Sequence, residues 1–182
     1  MKKLMMTGMV AFSAAVCVAA DAAKDAKPAE KATDADAKEK LERRAKRAVK
    51  NAISLFDQKE DERAVGILEA VGRMYAETDS KYLANLALGR HFLDKRDFDR
   101  AGAELRTAQR SPDQAVQAES LLLQGQLHNS RGQAGEAMMV LRRLTQDYPT
   151  SPFSNDAYFL IGQIHFDAHR WTRAAEAFQM VG

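Results

Sequence analysis

The chain is poor in the residues that usually tie or punctuate a small fold. Its 182 residues include one cysteine, one tryptophan and four prolines. Cys17 lies inside an apolar N-terminal run, so the chain beyond it can form no disulfide and carries no thiol catalyst. After residue 20 no stretch approaches the ~20 consecutive apolar residues that a membrane-spanning helix needs. Charge of one sign is also missing. The formal net charge is +2, and Lys2 and Lys3 carry all of it. Without them 25 basic side chains face 25 acidic ones, which leaves no general electrostatic case for a nucleic-acid partner. The sequence has no Gly-x-Gly-x-x-Gly, no phosphate loop closing on Gly-Lys-Ser/Thr and no Gly-x-Ser-x-Gly. These absences point away from an enzyme and from any cofactor.

What is present begins with "MKKLMMTGMVAFSAAVCVAA". A charged start, an apolar middle and a small-residue exit predict a secretory signal peptide over residues 1–20, cleaved after Ala20 or Ala22. As a membrane span the run is short and diluted by Thr7, Gly8 and Ser13. A lipidated cysteine would want a sequence like Leu-Ala-Gly-Cys, and Ala14, Ala15 and Val16 depart from it. The expected location is therefore the periplasm, with an outer-membrane lipoprotein as the weaker alternative. Residues 21–40 mix alanine with charges of both signs and hold no aromatic or large aliphatic side chain up to Lys40. They read as a tether or a weakly helical lead-in.

From residue 41 onward the chain repeats itself. Ala64, Ala101, Ala137 and Ala174 are spaced 37, 36 and 37 residues apart. Twelve positions before each comes a small residue: Ala52, Gly89, Gly125 and Gly162. Four positions after each comes a large apolar one: Leu68, Leu105, Leu141 and Phe178. Val71, Ala108, Leu144 and Val181 follow. Such a period holds two helices of about 14 residues and two short turns. Pro149 and Pro152 predict that one helix ends near Asp147, with Ser154 or Asn155 capping the next. A glycine in mid-helix costs about 1 kcal/mol against alanine. Gly89, Gly125 and Gly162 therefore mark places where the paired helix comes close, Gly89 against Ala101 for example. The units run about 45–80, 81–116, 117–153 and 154–182.

This register resembles the tetratricopeptide repeat family, on Leu88, Gly89, Phe92, Ala101, Leu105 and Ala108 and their counterparts in the other units. Gln124, His128 and His165 depart from it. The resemblance implies an all-α fold, a right-handed superhelical array of about four helical hairpins. The long period and the segment "YPTSPFSNDAYFLIG" resemble the envelope branch of the family, which includes the periplasmic cell-division coordinator and the outer-membrane β-barrel assembly lipoprotein. It implies a non-enzymatic scaffold whose partners are other envelope proteins, held in a concave groove of first helices. Carried over by register, that groove would be lined by Val49, Ile53, Phe56, Leu86, Arg90 and Leu93. Leu122, Gln126, Asn129, Phe159, Gln163 and Phe166 would continue it. Several apolar members could instead be covered by neighbouring repeats, because groove spacing is also core spacing. The alternative function is the helical, non-catalytic part of an envelope enzyme, such as a peptidoglycan-acting one, or an outer-membrane assembly component.

Three further features carry less. His165 and His169 have metal-sharing spacing but lack the glutamate of a zinc-protease motif, so no metal is expected. The run Arg43 to Arg47 reads as the solvated face of an entry helix. Trp171, Ala174, Ala177, Phe178 and Val181 offer more apolar surface than one partner helix covers. That predicts an uncapped array that continues or docks on a partner, a second copy included. Because Ala137 must be small, Ala137→Leu is expected to cost roughly 1–3 kcal/mol by overpacking. An unchanged thermal melt would show the register to be wrong.

Overall fold

The computed structural model describes residues 34–182; the signal-peptide expectation and residues 21–33 of the tether lie outside them. Two compact units divide the chain, Met1–Ala37 and Lys38–Gly182. Of the first, residues 34–37 are described, as helix. The described residues form eight helices in order: α1 (Asp34–Asp57), α2 (Asp61–Met74), α3 (Ser80–Asp94), α4 (Phe98–Ala108), α5 (Gln114–Ser130), α6 (Ala134–Asp147), α7 (Ser154–Asp167) and α8 (Trp171–Gln179). Among the described residues there is no strand, so the fold is an all-α repeat array. Residues 34–40, expected as a tether or a weakly helical lead-in, are exposed turns of α1.

The second helix of each hairpin is one-sided. In α2 the buried positions are Ala64, Leu68 and Val71, in α4 Ala101, Leu105 and Ala108, in α6 Ala137, Leu141 and Leu144. That spacing makes a single apolar stripe. The first helices α3, α5 and α7 bury more of their circumference, whereas α1 buries one stripe of Ala45, Val49, Ala52 and Leu55. In α5 three consecutive leucines, Leu121, Leu122 and Leu123, are all buried. The cause is position: α5 packs on α3, α4, α6 and α7. Val116, Leu123 and Leu127 join a core with α1 to α4, while Leu121 and Leu122 join a second core with α6, α7 and α8.

The turn inside each hairpin is built the same way four times. Lys59, Arg96, Gly132 and His169 have φ of 63°, 59°, 75° and 56°. At each, two amides reach back to the end of the first helix. Arg96 N donates to Leu93 O at 3.0 Å and Asp97 N to Phe92 O at 2.8 Å. The left-handed residue lets orphan carbonyls find donors.

The glycines mark the closest approach within a hairpin. A methyl group at Gly89 would come within 2.6 Å of Leu105 Cδ2. At Gly125 it would run into Leu141, and at Gly162 into the ring of Phe178. The glycine makes room for the large residue four positions after the alanine. This corrects the expectation that Gly89 faces Ala101. Ala101 is nevertheless fully buried.

Ser154 and Asn155 do not cap α7. The N-cap position is Phe153, already helical at φ −82° and ψ −8°. The helix therefore continues from the turn, and Ser154 is buried inside its first turn. Its hydroxyl donates back to Tyr148 O at 2.6 Å, and Asn155 Nδ2 donates to Gly182 O at 2.8 Å. At the start of α3 the cap is tertiary: the Glu42 carboxylate of α1 accepts from Asp79 N at 2.9 Å and from the Ser80 hydroxyl at 2.6 Å.

Glycine-to-alanine changes should separate packing from helix propensity. Gly66, within α2, has open space around it. Gly66→Ala is expected to stabilise by up to about 1 kcal/mol, whereas Gly125→Ala should destabilise by roughly 1–3 kcal/mol because Leu141 is fully buried. Chemical denaturation of both variants checks the sign of each change.

Candidate functional site

The first helices place the candidate residues. α1 and α3 lie side by side, and their aligned faces enclose a cleft of about 800 Å³. Its floor is apolar: Val49, Ile53 and Phe56 from α1 meet Leu83, Leu86 and Ala87 from α3. Val49 and Leu86 are buried, while Ile53 remains 46% exposed. Phe56 stacks on His91 with ring centroids 4.4 Å apart and planes at 14°. Arg90 pairs with Glu119 of α5, which closes one side.

Of the residues expected to line the groove, the cleft brings together Val49, Ile53, Phe56, Leu86 and Arg90. Leu93 is half-buried against the core, and Leu122 is buried in the second core. Gln126 and Asn129 are half-buried on α5. Phe159, Gln163 and Phe166 form an exposed row on α7, separate from the cleft lining. Phe159 leans on Phe178 at 5.6 Å and Phe166 meets Trp171 edge-on at 4.9 Å. In α8, Ala174 and Ala177 are buried, Phe178 is half-buried and Trp171 is exposed, as is Val181 just beyond it.

The charged rim was not anticipated as part of a site. Lys46, Arg47 and Lys50 line one end of the cleft, Asp57 and Asp94 the other. Two of these, Lys46 and Arg47, belong to the basic run read as merely solvated. The repeat period would have found the pairing, since position 46 aligns with 83, 50 with 87 and 57 with 94. His91 was missed because it falls between two signature positions.

Two histidines are shifted by burial, His91 half-buried in the cleft and His165 buried. Burial pushes the His91 imidazole below its ordinary range; Asp61 and Asp94 oppose that, while Lys95 and Arg100 add to it. His165 is also lowered, first by burial and then by Arg170, Arg173 and Arg142. Its Nδ1 is buried without a hydrogen-bond partner among the described residues. His169 sits past the end of α7 in the left-handed turn. Among the described residues no three His, Cys, Asp or Glu side chains gather as a metal site, and no helix is long and apolar enough to cross a membrane.

A family model described as tetratricopeptide repeat matches residues 86–152 and again 140–181. Together these cover residues 86–181, more than half the chain. No curated protein matches it.

Both lowered histidines favour the neutral form in the fold, so their contribution is present above the unfolded-chain value of about 6.5 and is lost as pH falls below it through the lower folded-state values. Stability should therefore drop on moderate acidification. The double change His91→Gln and His165→Gln should flatten that part of the profile, measured by urea unfolding across the range.

Proposed function

Since the chain belongs to the tetratricopeptide repeat family, we propose that it is a scaffold of the bacterial cell envelope, holding a segment of a partner protein between α1 and α3. Repeats of this family generally mediate protein–protein interaction, and its domains are typically non-catalytic. The observation that carries the reading is the cleft. It combines an apolar floor, a stacked aromatic pair and polar groups at the rim in about 800 Å³. A helix or strand of another protein finds there both apolar burial and ionic register, as in helix-in-groove recognition. The row of Phe159, Gln163 and Phe166 offers a second contact further along the layer of first helices.

The envelope location rests on residues 1–20 alone, whose charged, apolar and small-residue regions support export. The partners are then proteins that meet the chain after export.

Two measurements test this. Mass determination of the protein recovered from the periplasmic fraction should find a new N-terminus near residue 21. Retention of the first twenty residues, or a cytoplasmic location, would remove the envelope role. In vivo crosslinking of the native chain should yield adducts that weaken several-fold in Ile53→Asp, a change to a half-exposed side chain that leaves helical content intact. Adducts of equal intensity would place binding outside the cleft.

A further inference from the structure

The charges around the cleft are sorted along its length. Lys46, Arg47 and Lys50 stand at the end near Leu83, and Asp57 and Asp94 at the end near His91. None of these five side chains has an ion pair or hydrogen bond among the described residues, whereas Arg90, between them, is neutralised by Glu119. The cleft is therefore polarised, basic at one end and acidic at the other, with apolar ground between. From Lys46 to Asp57 the α1 wall spans roughly 17 Å, about three helical turns.

Resting on the reading that a partner segment lies in this cleft, we propose that the occupant is a short amphipathic helix with an acidic first turn and a basic last turn, bound parallel to α1. Three turns of helix match the length of the floor. An apolar stripe at i, i+3 or i+4 and i+7 meets Ile53, Phe56 and Leu86. Acidic side chains in the first turn of the occupant face Lys46, Arg47 and Lys50. Basic side chains in the last turn face Asp57 and Asp94. Such an order also suits the occupant itself, because acids near a helix N-terminus and bases near its C-terminus oppose the macrodipole. The opposite direction sets like charge against like at both ends, and that repulsion rejects it. The polarity thus selects direction as well as composition.

The probe is a pair of fluorescent synthetic peptides of about four turns, sharing one Leu/Phe stripe. One carries Asp and Glu first and Lys last; the other has the charges exchanged. Binding to the full chain is read by fluorescence anisotropy. The acid-first peptide should bind about tenfold more tightly at low salt, an advantage that shrinks with ionic strength. Lys46→Glu with Lys50→Glu should abolish that preference, and adding Asp57→Lys with Asp94→Lys should invert it. The inversion separates the cleft's polarity from differences in peptide helicity, which are the same for every protein variant. Equal affinity for both peptides, lost for both in Ile53→Asp, would overturn the polarity while leaving the cleft as a binding site. Binding that ignores Ile53→Asp, or no binding by either peptide, would overturn the proposed occupant; the crosslinking comparison then decides the cleft on its own.

Discussion

Three of the four hairpins depend on one close approach, a backbone position with no side chain facing a large apolar side chain from the opposite helix; the first has Ala52 at that place. Gly89 receives Leu105, Gly125 receives Leu141 and Gly162 receives Phe178. That approach puts the second helix near enough for Ala101 and Ala137 to lose all contact with water. It also aligns the left-handed turns at Arg96, Gly132 and His169, which must close over a fixed gap. The glycine's cost in helix propensity is thus offset by dense packing across the pair.

Stacking the hairpins gives the first helices a different role from the second. A second helix needs one apolar stripe. α5 is wedged between two hairpins, and its faces serve two cores, Val116, Leu123 and Leu127 on one side and Leu121 and Leu122 on the other. The connections are held by polar contacts that cross the repeat boundary. Glu42 caps α3 and Ser154 reaches back to Tyr148, whose hydroxyl donates to Gln117 within its own hairpin. The array is therefore a chain of local agreements, as expected for nearest-neighbour repeat architecture.

The cleft follows from that layering. Residues on the outward edges of α1 and α3 are not covered by their own second helices, so Ile53 and Phe56 reach the surface while Val49 and Leu86 close the floor. His91, drawn under Phe56, is desolvated enough to favour its neutral form. An apolar floor with charge sorted along its rim is suited to recognising polypeptide by both burial and order.

The repeat, its period and the hairpin contents were legible from spacing alone, because four units wrote the same small and large residues in one register. Ala64, Ala101, Ala137 and Ala174 are buried because the spacing that predicts helices also predicts which face is pressed. Spacing could not say which apolar first-helix residues are core and which are surface. Leu86 and Leu122 are buried, whereas Phe159 and Phe166 are exposed, a difference decided by which neighbour packs over each. Nor could it show that Ser154 abandons capping for a bond to Tyr148, since that depends on Phe153 adopting helical geometry in the turn. The sequence by itself determined the hairpins, because helix periodicity and close-contact glycines are local properties. Only the tertiary structure decided the cleft, because Lys46, Phe56, Leu83 and His91 become neighbours when two hairpins stack, and stacking joins residues about 37 positions apart.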